Sequence, residues 1–371
     1  MSLARGLAEL RSADGATEFE VTTVTQTARA NFDDANLPFA VVRQPGFWKL
    51  RHLIRNADLV HLAGPSLLPM LLANLGRKPY VIEHHGYQAI CPNGLLIHQT
   101  DGSICPGHFQ AGNFRECYRC QAKEFSASTS LRNLLFSLIR RALAKRATAN
   151  IAITDHVLRR IALPRMNVIQ HGIPEPKDES LEREGKSFQG EPICFGFVGR
   201  LVPEKGASVF VSALAELRRR GKLFRAKLIG DGPERARLEA QIKREALQDL
   251  VQMAGYLSGS DFLTATSQID VMVMPSVWEE TAGLAAMEQM MRGRLVIASD
   301  AGGLAEIIDS AGARFPLGNV AALTGIMERV IETPDLIRDL GHAARIRARE
   351  QFRLPTMIGS HASLYRSLAK S

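Results

Sequence analysis

Two cations stand five residues apart on a loop that follows an apolar run. The run Ile-Cys-Phe-Gly-Phe-Val-Gly occupies 193–199, and Arg200 and Lys205 come directly after it. A glycine at a strand end lets a ligand approach the backbone, and an arginine and a lysine so placed can converge on a diphosphate. A solvated loop with two surface cations is the other interpretation of this spacing.

Two carboxylates stand eight residues apart further along the chain. Glu280 lies on the loop after the apolar stretch 270–274, and Glu288 lies inside the helix predicted after it. The amides of Gly283 and Leu284 fall at the start of that helix, where the helix dipole favours an anion. Glu288 can then accept hydrogen bonds from ribose hydroxyls, and Glu280 can face a sugar. The alternative is two surface glutamates on an amphipathic helix.

Four of the five cysteines lie within the segment 91–120. They are Cys91, Cys105, Cys117 and Cys120, and the last two form a Cys-x-x-Cys pair. Four thiolates with one close pair suit a tetrahedral zinc ion, and a segment this rich in Gly, Pro and Asn needs such a staple to hold one shape. His98 or His108 could replace one ligand. An iron–sulfur cluster and four unrelated reduced thiols are the alternatives.

Strand-like and helix-like segments must position these residues, and they alternate along the chain. In the second half the predicted strands are 193–199, 226–229, 251–254, 270–274 and 295–298. In the first half they are 19–24, 58–62, 80–83, 150–153 and 167–169. Such alternation predicts an α/β chain with doubly wound parallel sheets. The polar stretch 176–192 predicts a linker between domains at 1–175 and 193–352, and 353–371 is expected to form a C-terminal helix that returns to the first domain.

The net charge of the chain limits the kinds of partner that it is expected to bind. The chain has 371 residues, with 46 Lys plus Arg against 38 Asp plus Glu and a formal net charge of +8. Because this charge is spread along the chain, phosphates or an acidic membrane face are favoured over nucleic acid. The basic apolar segment 132–146 predicts either a helix on an anionic membrane or, favoured here, a packed helix with a solvated basic face.

Location follows from what the sequence lacks. No apolar stretch reaches the roughly 20 residues of a membrane span, and the first residues do not resemble a signal peptide. Together with the expectation that the thiols stay reduced, this predicts a cytoplasmic protein, with peripheral contact at the inner membrane face as an option.

The order of these segments resembles the retaining glycosyltransferases of family 4, which have the GT-B fold. The matching segments are 168–173, 197–206, 228–234, 280–288 and 297–308. The resemblance covers nearly the whole chain and implies two Rossmann-like domains facing a cleft. It implies a hexosyltransferase that moves a sugar from a UDP-, GDP- or ADP-linked donor to a glycan or lipid-linked acceptor. A non-catalytic nucleotide-sugar-binding or zinc-stabilised protein and a GT-B epimerase are the alternatives.

The resemblance also assigns roles to individual positions. The implied donor-binding residues are Arg200, Lys205, Gly283, Leu284, Glu288, Tyr256 and Leu257. The implied sugar contacts are Glu280 and His85, which begins the segment His-Gly-Tyr-Gln-Ala-Ile-Cys-Pro, with His84 as the other choice by register. No catalytic metal is expected, because the sequence has no Asp-x-Asp pair and the two cations can neutralise the leaving group.

The start of the sequence departs from the family pattern. Family members place a strand and a Gly-rich loop before a helix like Leu3–Leu10, whereas this sequence begins at the helix. The N-terminal domain is therefore expected to lack its first strand and that loop, through a misplaced start codon or a truncation. Since a missing central strand leaves backbone groups unpaired, weak stability of this domain and weak activity are expected.

Overall fold

The structure, a computed structural model, describes residues 2–28, 34–176 and 191–369. The chain divides into two compact units. Unit 1 comprises Met1–Gly172 together with Arg353–Ser371, and unit 2 comprises Ile173–Phe352. The predicted linker at 176–192 falls almost wholly outside the described residues. Within the described ranges, no helix has the length and apolar character needed to cross a membrane.

Unit 1 is built on short parallel strands. Its strands are β1 (Thr22–Thr25), β2 (Ala40–Arg43), β3 (Val60–Ala63), β4 (Tyr80–His84), β5 (Ala149–Ala152) and β6 (Met166–Val168). Its helices up to residue 172 are α1 (Ser2–Glu9), α2 (Phe47–Asn56), α3 (Leu67–Leu75), α4 (Phe114–Ala122), α5 (Ala127–Ala144) and α6 (Asp155–Ile161). The order β3-β4-β5-β6 forms one parallel sheet, and β1 pairs with β2 separately.

The predicted alternation of this half is confirmed, with two differences. The first strand begins at Thr22 instead of residue 19, so the prediction for 19–21 was wrong. Phe19 and Val21 instead pack with the cluster around Leu7 and Tyr365. β2 was not predicted, because a run of only four residues carries little periodicity.

β4 brings polar groups into the interior of unit 1. All five of its residues are buried, as expected for a central strand covered on both faces. The last two, Glu83 and His84, are polar, so the fold must supply them with partners. His85 follows directly and is exposed.

Unit 2 is a larger parallel sheet covered by helices. Its strands are β7 (Ile193–Val198), β8 (Phe224–Ile229), β9 (Val251–Gly255), β10 (Val271–Met274), β11 (Leu295–Ser299) and β12 (Ala313–Phe315). Its helices are α7 (Ala207–Arg219), α8 (Arg235–Arg244), α9 (Gly259–Ser267), α10 (Leu284–Met291), α11 (Gly302–Ile308), α12 (Val320–Glu332) and α13 (Asp335–Gln351). The strand order is β12-β11-β10-β7-β8-β9. The predicted doubly wound sheet is therefore confirmed for this half.

The last helix, α14 (Leu354–Ala369), belongs to unit 1. It packs so closely on α1 that a Cβ added to Gly6 would lie 2.1 Å from Cδ1 of Ile358. It also brings Tyr365 to β3, where the tyrosine hydroxyl lies 2.6 Å from Nδ1 of His61. The helix thereby places side chains against β3 and β4 in the interior of unit 1.

Candidate functional site

The phosphate-binding loops predicted for unit 2 lie at the carboxyl-terminal ends of two central strands of its sheet. β7 and β10 are neighbours, yet the chain leaves β7 towards β8 and returns to β10 on the other side. Such a reversal creates a crevice at the carboxyl ends of the two strands, where open parallel sheets bind ligands. The loop after β7 carries Arg200 and Lys205, and the loop after β10 carries Glu280.

Lys205 and Glu280 form an ion pair across this crevice. Nζ of Lys205 lies 3.0 Å from Oε2 of Glu280. Glu280 is buried, with only 3% of its surface exposed. Oγ of Ser276 donates a hydrogen bond to Oε1 of the same carboxylate, and Nζ of Lys205 lies 5.9 Å from the centre of the Trp278 ring. A buried carboxylate with these partners holds the ammonium at a fixed place.

Gly206 allows the loops after β7 and β10 to touch. Its φ is +67°, in the region that favours glycine. An added Cβ would lie 1.9 Å from the carbonyl oxygen of Pro275. The N–H of Val277 donates to the carbonyl of Glu204 at 3.0 Å in the same contact. This close approach brings Lys205 to Glu280, so the glycine positions the cation.

The turn Gly230–Pro233 braces the loop after β7. The N–H of Leu201 donates to the carbonyl of Asp231 at 2.9 Å. Gly230 has a φ of +142°, and an added Cβ would lie 1.8 Å from the carbonyl oxygen of Gly199. Since the sequence pattern indicates only a strand-to-helix turn here, this support of the Arg200 loop is what the structure adds.

α10 carries the predicted anion site and the predicted ribose acceptor. It begins at Leu284, with Gly283 as its N-cap, and Leu284 is 48% exposed, so a ligand can reach the first turn. Glu288 lies one turn further and its side chain reaches solvent. Protein around its carboxyl disfavours the charged form and raises the pKa of Glu288, while the charge of Arg292 acts in the opposite direction.

Three further predicted donor contacts lie at the surface of unit 2. Arg200 is largely exposed, with one guanidinium nitrogen 3.9 Å from Oε1 of Glu204. Tyr256 is 77% exposed, whereas Leu257 packs on the apolar core beside it. Both follow β9, which neighbours β8. Their roles at a nucleotide base stay predictions.

The two adjacent histidines of unit 1 have different surroundings. Nε2 of His84 lies 2.9 Å from Oδ1 of Asn150, and burial lowers the pKa of His84 to about 4, so it is a neutral interior group. His85 is exposed. Partial cover of its ring lowers the pKa of His85, and the charge of Glu83 acts in the opposite direction. Of the two, His85 is the one that a ligand can reach.

Glu83 is a buried carboxylate surrounded by histidines, and the sequence analysis did not single it out. Its carboxylate oxygens are 3.1 Å from Nε2 of His61, 3.7 Å from Nε2 of His85, 3.7 Å from Nε2 of His361 and 3.8 Å from Nδ1 of His171. Burial acts to raise the pKa of Glu83, but its interactions with His361, His61 and His85 outweigh burial, so the pKa lies well below the usual value. The group is therefore a carboxylate at neutral pH.

The four clustered cysteines line one small cavity of unit 1. His98 and His108 line it as well, and Nε2 of His98 is buried with no hydrogen-bond partner among the described residues. Burial, helped by neighbouring thiols, raises the pKa of Cys117 to about 12, so without a cation this thiol stays protonated. None of the five cysteines, all within the described ranges, forms a disulfide.

This donor set fits a zinc ion in chemistry but not yet in spacing. In the described chain, no three of the four thiol sulfurs lie within 4.8 Å of one another, whereas sulfurs bound to one zinc at about 2.3 Å stand about 3.8 Å apart. The cavity would have to contract around an ion. The sulfurs already receive support from the backbone, since the N–H of Gln99 donates to Sγ of Cys120 at 3.3 Å.

Most of the sequence of unit 2 matches a known family model. Residues 178–347 match the family model described as "Glycosyl transferases group 1". The chain carries a group 1 glycosyltransferase domain. The chain is 35% identical over 163 residues to the 2-deoxystreptamine glucosyltransferase of Streptomyces kanamyceticus, a match that covers 43% of this chain and 42% of that protein. Matches to the first relatives thus span somewhat less than half of their length.

Solved structures extend the likeness of the group 1 glycosyltransferase domain to the fold of the whole chain. HepE of Anabaena, solved in complex with UDP and glucose, has a TM-score of 0.72 at 20% identity, covering 99% of this chain and 95% of that chain. Sucrose-phosphate synthase of Thermosynechococcus elongatus has a TM-score of 0.73 at 21% identity, covering 100% of this chain and 92% of that chain. The predicted GT-B fold is thereby confirmed.

Two supporting contacts in the glycosyltransferase domain were missed by sequence reasoning. Gly302 has a φ of +64°, and an added Cβ would lie 2.6 Å from the backbone N and O of Glu280. The N–H of Gly303 donates to the carbonyl of Glu280 at 2.6 Å. The matched segment 297–308 thus fixes the backbone of the buried glutamate, and its paired glycines were the available signal.

Proposed function

We propose that this chain transfers a hexose from a nucleoside diphosphate sugar to a hydroxyl of a glycan or lipid-linked acceptor. The observation that carries the proposal is the Lys205–Glu280 pair at the switch point of the unit 2 sheet, 3.0 Å between Nζ and Oε2. The family match of residues 178–347 supports it.

The leaving group sets the chemical problem. Breaking the bond from sugar to phosphate places negative charge on the diphosphate, and preorganised cations and amides lower that barrier. Lys205 is held ready by Glu280, Arg200 reaches solvent from the neighbouring loop, and the first turn of α10 supplies backbone N–H groups. These groups can neutralise the leaving phosphate, which is the role proposed for them.

The proposed transfer retains the anomeric configuration. In this route the acceptor hydroxyl attacks the anomeric carbon on the face from which the diphosphate departs. The bond from the acceptor oxygen to the anomeric carbon forms, and the bond from that carbon to the diphosphate oxygen breaks. The departing phosphate oxygen takes the hydroxyl proton. Glu280 and His85 are proposed to contact the transferred sugar, and no separate nucleophile is needed.

We propose a UDP-linked hexose as the first donor to test, with GDP- and ADP-linked sugars as alternatives. HepE was solved with UDP and glucose, and the relative from Streptomyces kanamyceticus is named a glucosyltransferase. We place the protein in the cytoplasm, which the five unbridged cysteines support.

Replacing Glu288 by alanine is expected to weaken donor binding by about 10- to 100-fold, because hydrogen bonds to a charged group contribute about 1.5–3 kcal/mol. Titration calorimetry with UDP-glucose, GDP-mannose and ADP-glucose measures this and selects the base. Glu239→Ala is the matched control, since Glu239 is an exposed helical glutamate paired with Arg235 on α8. Equal affinity of Glu288→Ala and the unmodified chain would contradict the proposed ribose contact.

We also propose a structural zinc ion held by Cys91, Cys105, Cys117 and Cys120. The shared cavity and the orphaned Nε2 of His98 support it. The ion would staple the loop segment that follows His85 in sequence, and no step of sugar transfer needs it.

Cys117→Ser is expected to remove one equivalent of zinc per chain and to lower the free energy of unfolding by about 2 kcal/mol or more. Mass-spectrometric metal analysis and denaturant unfolding measure the two effects. Cys194→Ser is the control, because Cys194 lies on β7 in unit 2, away from the cluster. Unchanged zinc content in Cys117→Ser would overturn the site.

A peripheral membrane contact is proposed for the surface of α5. The sequence analysis favoured a packed helix with a solvated basic face, but Leu131 and Leu135 are 62% and 52% exposed. Arg132 lies between them in sequence, and a surface that mixes leucine with arginine suits an anionic bilayer. Co-sedimentation with anionic vesicles tests this, and equal recovery with and without vesicles would contradict it.

A further inference from the structure

Three elements of unit 1 bring ligating atoms together around Glu83. His61 lies on β3, Glu83 is the last residue but one of β4, and His361 lies on α14. Their three ligating atoms all lie within 4.8 Å of one another. Glu83 and His361 are buried, and His61 is half-buried. This trio is separate in sequence from the cysteine segment and lies outside the unit that carries the diphosphate loops.

The spacing of the trio is that of atoms bound to one ion. Nitrogen and oxygen ligands at about 2.1 Å from a metal, with angles between about 90° and 120°, stand about 3.0 to 3.7 Å apart. Oε2 of Glu83 is 3.1 Å from Nε2 of His61 and 3.7 Å from Nε2 of His361. The second of these is too long for a hydrogen bond.

The outer ring nitrogens are already oriented as metal-bound histidines require. Nδ1 of His361 lies 2.9 Å from the carbonyl oxygen of Met357, which can only accept, so Nδ1 carries the hydrogen. In the neutral ring Nε2 then presents a lone pair, and it is buried without a hydrogen-bond partner among the described residues. Nδ1 of His61 lies 2.6 Å from the hydroxyl of Tyr365. The carbonyl contact fixes both the tautomer and the direction of the His361 ring, whereas the hydroxyl of Tyr365, which can donate or accept, fixes the direction of the His61 ring.

A lone pair aimed at a carboxylate needs something positive between them. A proton would need to bridge 3.7 Å between His361 and Glu83, whereas a cation at the centre of the trio satisfies all three groups at normal bond lengths. Two imidazoles with one carboxylate suit zinc and neighbouring divalent transition metals, and they do not suit magnesium or calcium, which prefer oxygen ligands.

We propose that His61, Glu83 and His361 bind one divalent transition-metal ion in unit 1, distinct from the zinc proposed for the cysteines. The ion would tie α14 to β3 and to the carboxyl-terminal end of β4. Because His85 follows β4 directly and its Nε2 lies 3.7 Å from Oε2 of Glu83, the ion would also fix the strand end that carries His85. The proposal does not depend on the donor chemistry of unit 2.

Zinc analysis of the untagged full chain tests the proposal. After loading with Zn²⁺ and gel filtration, Glu83→Gln and His361→Gln are each expected to contain one equivalent less than the unmodified chain. His52→Gln is the control, because His52 lies on α2, where its Nε2 is 3.0 Å from Nδ2 of the exposed Asn56. Equal zinc content in all four proteins would overturn the proposal.

Cobalt separates the two metal sites by their ligands. With Co²⁺ in place of zinc, Cys117→Ser is expected to lose the thiolate-to-cobalt charge-transfer band and to keep weaker bands of a nitrogen and oxygen site, while Glu83→Gln shows the reverse. If Glu83→Gln fails to fold by circular dichroism, X-ray absorption of zinc-loaded Cys117→Ser decides. Imidazole scattering around zinc supports the site, and zinc without imidazole ligands, or no bound zinc, contradicts it.

Discussion

Lys205→Met is expected to lower turnover at saturating donor by about 100-fold or more, the usual cost of removing one preorganised group that stabilises transition-state charge. Nζ of Lys205 is the cation that the buried carboxylate of Glu280 holds in the crevice, at 3.0 Å. Methionine keeps most of the side-chain volume and removes the charge, so the loss reports on electrostatics. Release of the nucleoside diphosphate is the measurement.

Lys222→Met is the matched control for this loss. Lys222 is also a lysine of unit 2 with carboxylate partners, at 3.1 Å from Glu328, but it pairs with helix α12 and lies away from the loops of the crevice. Because Lys205→Met leaves the buried Glu280 without its cation, urea unfolding of Lys205→Met and of the double variant Lys205→Met with Glu280→Gln measures the cost in stability apart from turnover. Normal turnover in folded Lys205→Met would contradict the role given to this cation.

Gly206→Ala is expected to lower the free energy of unfolding of unit 2 by about 3 kcal/mol. Two costs add at this residue. An alanine at φ +67° is strained, and its Cβ would lie 1.9 Å from the carbonyl oxygen of Pro275, so the loops after β7 and β10 must separate. Donor binding should weaken as well, because the contact between Gly206 and Pro275 also holds Lys205 beside Glu280.

Gly221→Ala isolates the contact from the backbone strain. Gly221 has nearly the same φ, +70°, and nothing lies within 4 Å of its added Cβ. It should therefore cost about 1 kcal/mol, from backbone strain alone. Urea unfolding of both variants gives the difference, and equal destabilisation would show that the loop contact at Gly206 contributes nothing.

The sequence was most informative where chemistry is encoded by neighbours along the chain. Arg200 with Lys205, and Glu280 with the start of α10, each lie between a predicted strand and a predicted helix, and the alternation of those elements predicted the doubly wound sheet. Local spacing also separated the four clustered cysteines from Cys194. These signals need no knowledge of how distant segments meet.

What the sequence could not show depends on contacts between distant residues. Nothing in the spacing links His61 and Glu83 with His361, because α14 joins β3 and β4 only in the folded unit. The carbonyl oxygen of Pro275, which leaves no room for a Cβ at residue 206, is likewise remote from Gly206 in sequence. The short β2 lacked a periodic pattern. Residues 19–21 were predicted as strand because they are rich in apolar side chains, but in the folded unit Phe19 and Val21 pack against a cluster formed by helices.

The most direct test of sugar transfer follows the sugar itself. The full chain is incubated with a nucleotide-sugar labelled in the hexose, chosen by the calorimetric series, and with a panel of glycan and lipid-linked acceptors. The predicted result is label in an acceptor product, released nucleoside diphosphate in equal amount, and the same anomeric configuration as the donor by NMR. Tight donor binding with neither labelled product nor released nucleotide, in a chain that is folded and metal-loaded, would contradict the proposed transferase activity.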